Sequence, residues 1–181
     1  MTATLHVFSA VLLTLVFAVA AGSKLRSLKV LWTFSDELAS FRWLPSRLRR
    51  VTALAVVCAE LATGLLVWVA PPSGAGLALV LLLVFTVATL QAGRAGDCQC
   101  FGEAKGAEVG GTALFVSRNL LLAATAAFLT LPGPAFPALP SGLAAATGGL
   151  LLAVLVIRAD DLVYLFAPRR RTEVIGPAAN R

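Results

Sequence analysis

Two thiols one residue apart, Cys98 and Cys100 in the run Asp97-Cys98-Gln99-Cys100-Phe101-Gly102, form the chemical centre of this chain. A disulfide closed across one intervening residue makes a small, tight ring. Such strain makes the bond easier to reduce, which favours thiol exchange over permanent stapling. Gly96 and Gly102 supply backbone freedom on either side. Two thiolates can instead hold a soft ion such as copper(I). A four-ligand zinc site is not visible, since the only histidine, His6, falls near the opposite membrane face in the topology argued below. An inert connection is the third reading, and no metal or cofactor is assigned.

Polar residues inside apolar stretches come next. Glu60 sits near the middle of one, where an isolated carboxylate is costly. Arg118 and Asn119 lie in another, near its cysteine-side end. The plain expectation is that Glu60 and Arg118 pair inside the protein and fix its packing. A functional expectation, compatible with the first, is that Arg118 faces the cysteines and lowers a thiol pKa, stabilising the attacking thiolate. Cys58, two residues before Glu60, reads as an inert buried thiol. His6 reads as an interfacial polar residue, and Asp160 and Asp161, after Arg158, as the interfacial end of the last apolar stretch.

The elements that must position these residues follow from composition. Of 181 residues, 59% are hydrophobic and 13% charged, with a mean hydropathy of +0.88. A soluble domain of this size has too little interior for that much apolar surface. Five stretches approach the roughly 20 helical residues needed to span a hydrocarbon core. They are Leu5–Ala21, Val51–Ala70, Gly74–Leu90, Thr112–Leu131 and Ser141–Ile157. Backbone groups in lipid must be satisfied within the segment, and no period-two alternation is present, so helices are expected rather than a barrel. The fold class is an all-α membrane protein, a bundle of about five transmembrane helices with one short interfacial helix.

Pro71-Pro72-Ser73 breaks the second stretch from the third and forces an antiparallel hairpin. Pro132-Gly133-Pro134 through Pro140 separates the fourth from the fifth. Ala55, Ala59, Ala62 and Gly64, and likewise Gly148 and Gly149, are small enough to let backbones approach. The long connection from Ser23 to Arg50 needs structure of its own. Ser35, Asp36 and Glu37 read as its helix start, Leu38, Phe41 and Leu44 as an apolar stripe, and Pro45 as the stop. Trp43 and nearby arginines would anchor that helix in the interface.

The net charge of +6 does not imply a nucleic-acid partner, because the basic residues flank apolar segments instead of lining one helix face. Lys24, Arg26, Lys29, Arg42, Arg47, Arg49 and Arg50 fill the first connection, and Arg169, Arg170 and Arg171 follow the last stretch. With five spans this places the N-terminus outside and the first connection, the cysteine connection and the C-terminus in the cytoplasm, in a bacterial inner (plasma) membrane. No Lys or Arg precedes Leu5, and Lys24 follows the first stretch, the reverse of a cleaved signal, so a retained helix is expected.

In this order the residues resemble the methylamine utilisation protein MauE family, related to the DoxX-like redox-associated membrane proteins. The resemblance rests on Gly22-Ser23-Lys24-Leu25, the Phe41 to Pro45 stretch, Ala59-Glu60-Leu61 with Gly64, Asp97 to Gly102, and Arg118-Asn119. It covers most of the chain, up to about the fourth stretch; the organisation expected is a polytopic domain of that family's kind over 1–168 and a basic tail, 169–181, expected to be disordered. It implies a part in processing, transport or maturation of the methylamine dehydrogenase β subunit, or of a related disulfide-containing client. Cys98 and Cys100 would be the redox pair, with Glu60, Arg118 and Asn119 in support. Gln99 stands where such proteins often carry a small residue, which would stiffen the ring.

The leading expectation is therefore a membrane thiol-redox or maturation factor, an accessory protein more than a stand-alone enzyme. Its partners would be a thioredoxin-like protein or disulfide-containing client, besides membrane lipid. Two other classes are a small carrier or copper-handling membrane protein with Glu60 and Arg118 on its path, and a scaffold with dispensable cysteines.

Overall fold

Uninterrupted Ala, Leu and Val leave the chain one way to satisfy its backbone without water, which is to close the hydrogen bonds within each segment. In the computed structural model, which describes residues 2–40, 45–92, 111–131, 138–159 and 161–162, the regular structure is entirely helical. In chain order the helices are α1 (Thr2–Leu25), α2 (Leu28–Glu37), α3 (Ser46–Val69), α4 (Pro71–Ala92), α5 (Gly111–Leu129) and α6 (Leu139–Ile157), with a 3-10 turn (Leu38–Ser40) after α2. The cysteine run, Phe41–Leu44, Pro132–Gly133–Pro134 and the basic tail 169–181 lie outside the described residues.

Among the described residues four helices, α1, α3, α4 and α6, are long and apolar enough to cross a membrane. The expectation of five meets a shorter fifth member: the apolar part of α5 is Ala113–Leu129.

α1 lies at the centre, packed on α6, α3, α5 and α2, while α3–α4 and α4–α5 are neighbours. The core runs through Leu12, Leu13, Val16 and Phe17 of α1, Val67 of α3, Leu82 of α4 and Leu122 of α5. Ala75, Ala78, Ala126 and Ala153 are fully buried between them, as close helix contact in lipid requires. Leu65, Leu83, Leu120 and Leu151 face outward. In water such a belt would be an error; in a bilayer it is the lipid-facing surface.

The proline break between α3 and α4 leaves only Ala70 between the helices, and Pro71 opens α4, where its missing N–H costs nothing. Gly74 makes this hairpin possible: a Cβ there would sit 2.4 Å from the Val67 nitrogen. Gly149 is equally constrained, with the Phe8 carbonyl oxygen 2.7 Å from the same virtual atom. The small-residue reading holds for Gly148 and Gly149, for Gly64, which lies against Thr14 of α1, and for Ala59, packed on the core, whereas Ala55 points outward and Ala53 is fully buried.

The short helix exists, but Ser35 does not start it. Ser27 caps α2, its hydroxyl accepting from the Val30 N–H at 3.2 Å, and Ser35 to Glu37 form the last turn. Leu31, Phe34 and Leu38 share one face that docks on Ala21, Ala53 and Val57. That apolar spacing outweighs the poor placement of two acids at a helix C-terminus. An aromatic does meet an arginine here, Trp32 with Arg50 at 5.2 Å, while Trp43 lies outside the described residues.

Candidate functional site

Helical periodicity puts Ala53, Val57, Glu60, Thr63 and Val67 of α3 on one buried stripe, four of them able to pack without charge. Glu60 is 0% exposed, and the cation that meets it is Lys24, with Nζ donating to Oε1 at 2.7 Å. The expected partner was Arg118. Lys24, counted above among the flanking charges, is 2% exposed and belongs to the interior. The reason is helix direction. Thr14 of α1 meets Gly64 and Trp68 of α3, while Lys24 meets Glu60, so the two helices run antiparallel. The last turn of α1 thereby comes level with the middle of α3, and a cation suits a helix C-terminus.

Lys24 is held on several sides. Nζ also donates to the Ala20 carbonyl at 3.3 Å. It lies 5.4 Å from the Phe34 ring centre and 5.7 Å from that of Phe85, within cation–π range. Hydrogen bonds and rings around a desolvated pair offset part of what burial costs it.

Asn119 and Arg118 enter from α5. Asn119 Nδ2 donates to Thr86 Oγ1 at 2.9 Å, and that hydroxyl donates to the Leu82 carbonyl at 2.7 Å. Arg118 is 7% exposed, its guanidinium 5.5 Å from the Phe115 ring centre. Between these groups lies a cavity of about 20 Å³, bordered by Glu60, Asn119, Ala20, Phe17, Phe85 and Phe115. That is room for about one water-sized group. The second carboxylate oxygen of Glu60, Oε2, is buried and has no hydrogen-bond partner among the described residues.

Of the residues singled out from sequence, Glu60 and Asn119 line this one cavity, and Arg118 precedes Asn119 on α5. The layer lies near the ends of α1 at Leu25 and of α4 at Ala92 and about midway along α3 and α5, and the connection carrying Cys98 and Cys100 leaves from the Ala92 and Gly111 ends. The two cysteines themselves are outside the described residues. Cys58, expected to be buried, is exposed on the outer side of α3. His6 sits at the other end, its ring nitrogens 3.0 Å from the Thr2 carbonyl and 3.2 Å from that of Leu131. Arg158 and Asp161 pair on the surface at 3.0 Å, past the end of α6.

Sequence reasoning missed Lys24, Thr86 and the two rings beside Lys24. The signal for Lys24 was present in Gly22-Ser23-Lys24-Leu25, but a lysine just after an apolar run reads first as a flanking charge.

A family model described as methylamine utilisation protein MauE matches residues 1–132. That span holds α1 to α5 and all the residues of the polar layer. Comparison with curated proteins and with solved structures gave no match.

Proposed function

The chain belongs to the methylamine utilisation protein MauE family of membrane proteins, and from that membership we propose that it is a thiol-redox maturation factor. In this reading Cys98 and Cys100 form the redox pair. The attacking thiolate opens a disulfide of a thioredoxin-like protein or client, giving a mixed disulfide and releasing one partner thiol. The second cysteine then attacks its neighbour's sulfur, closing the Cys98–Cys100 bond and releasing the partner as a dithiol. The reverse sequence oxidises the partner, and strain in the small ring favours that direction. By family resemblance the client is the methylamine dehydrogenase β subunit or a related disulfide-containing protein.

The observation that carries this reading is the C-x-C run in the connection between α4 and α5, on the side of the bundle that holds the buried polar layer. Arg118, a buried cation on α5, the helix that follows the cysteine connection, is cast as the group that stabilises the thiolate. Glu60 and Asn119 fix the helices around it. In the same reading the chain sits in a bacterial inner membrane with its N-terminus outside and C-terminus cytoplasmic. Arg26, Lys29, Arg47, Arg49 and Arg50 support that orientation with Lys24 removed from the count.

The test is disulfide trapping in cells. Cys98→Ser and Cys100→Ser variants should differ, one of them accumulating a mixed disulfide that reductant releases. If neither captures a partner and client maturation proceeds normally, the thiols are not the functional centre.

A further inference from the structure

The surroundings of the Lys24 ammonium are more than an ion pair requires. One carboxylate oxygen at 2.7 Å, one backbone carbonyl at 3.3 Å and two aromatic rings at 5.4 and 5.7 Å make a complete recognition set for a primary ammonium ion. Lys24 uses all of these, and one carboxylate oxygen is left over. Among the described residues Glu60 Oε2 has no hydrogen-bond partner, although Glu60 is 0% exposed. The cavity of about 20 Å³ beside it shares Ala20, Glu60 and Phe85 with the seat of Lys24, and Phe17 and Phe115 complete its apolar wall.

We propose that this is a binding site for a small primary ammonium ion carrying a methyl-sized group, with Lys24 as a tethered occupant that the free ion displaces. Displacement follows from charge: one carboxylate in a low-dielectric interior does not compensate two ammonium groups. Lys24 can leave because it lies in the last turn of α1, next to Leu25 where the helix ends, and its flexible stem can carry the ammonium toward the interface. Its departure adds the volume of its own head group to the cavity. The incoming ion gains Oε2 as a second acceptor and places its methyl group against Phe17 and Phe115. A quaternary ammonium lacks the N–H donors for both carboxylate oxygens, and a divalent ion would require more oxygen ligands than line the cavity. The site uses no cysteine, so the proposal stands apart from thiol exchange.

The experiment is thermal unfolding of the full chain in lipid nanodiscs, with methylammonium, tetramethylammonium and sodium chlorides compared at equal ionic strength. A tethered competitor has a millimolar effective concentration, so about 50 mM of each salt is required. Methylammonium alone should raise the unfolding temperature, by roughly 2–4 °C. Lys24→Met should respond at about tenfold lower methylammonium, since the competitor is gone. Ala20→Leu, which fills the cavity and keeps the pair, should lose the response. Saturation transfer from the protein to the methylammonium methyl group gives a second readout on the wild-type chain, should a variant not fold. An equal response of the wild type to all three salts, with no saturation transfer, overturns the proposal. So does a response confined to Lys24→Met, which would make Lys24 a purely structural cation. The Cys98→Ser/Cys100→Ser double variant should keep the wild-type response, so this site and the thiol reading can fail independently.

Discussion

Removing one member of the Lys24–Glu60 pair leaves the other as an uncompensated charge inside the bundle, which is costlier than never having had the pair. Glu60→Gln or Lys24→Met alone should each cost about 3–5 kcal/mol of stability, measured as thermal unfolding in nanodiscs. The double variant Lys24→Met/Glu60→Met should recover most of that loss, because two apolar side chains of similar reach leave nothing unpaired. Arg118→Met tests a different role. If the guanidinium stabilises the thiolate, the variant should fold normally, alkylate more slowly at Cys98 or Cys100 near neutral pH, and regain wild-type rate as pH rises. A purely packing role would change unfolding temperature and leave the pH profile of alkylation where it was. Glu60 and Asn119 were legible as polar residues in apolar runs. Lys24 was not, because burial of a lysine at a span's end depends on which helix lies beside it.

Helix contacts in lipid depend on how closely backbones approach, so glycine substitutions divide sharply by place. Gly74→Ala drives a methyl group into the α3 backbone at Leu66 and Val67 and should cost about 1–3 kcal/mol. Gly76→Ala and Gly22→Ala meet nothing within 4 Å and should be near neutral or slightly stabilising. A matched set of unfolding curves for the three variants checks this. Ser27→Ala removes the cap of α2 and should cost about 1 kcal/mol. Ser35→Ala, in the last turn, should not behave as a cap mutation. The hairpin at Pro71 was legible because proline acts locally. The start of α2 was not, because Ser27 and Ser35 are both plausible caps and only the docking of Leu31 and Phe34 on α3 selects between them.

At the scale of the molecule, α1 is the hub against which α3, α5 and α6 all pack. Truncating it before Lys24 should abolish accumulation of the folded protein in membranes, whereas truncating the tail from 169 onward should not, as immunoblots of membrane fractions would show. The proposed orientation makes a separate prediction. Cys100 should react with a membrane-impermeant maleimide only after cells are opened, with Cys58 replaced to remove its own signal. Labelling in intact cells would place the thiols outside and reverse the topology.

Composition alone determined that this chain lives in lipid as helices, because apolar content and unbroken hydrophobic runs act through solvation and need no knowledge of neighbours. The order of the spans, the proline hairpin and the position of the two thiols between helices were likewise local properties. Which charge meets Glu60, which serine opens α2 and which glycines cannot be replaced were decided only in three dimensions. Each depends on the rotation and depth at which one helix faces another, and those are set by packing across the bundle rather than by any residue's neighbours in the chain.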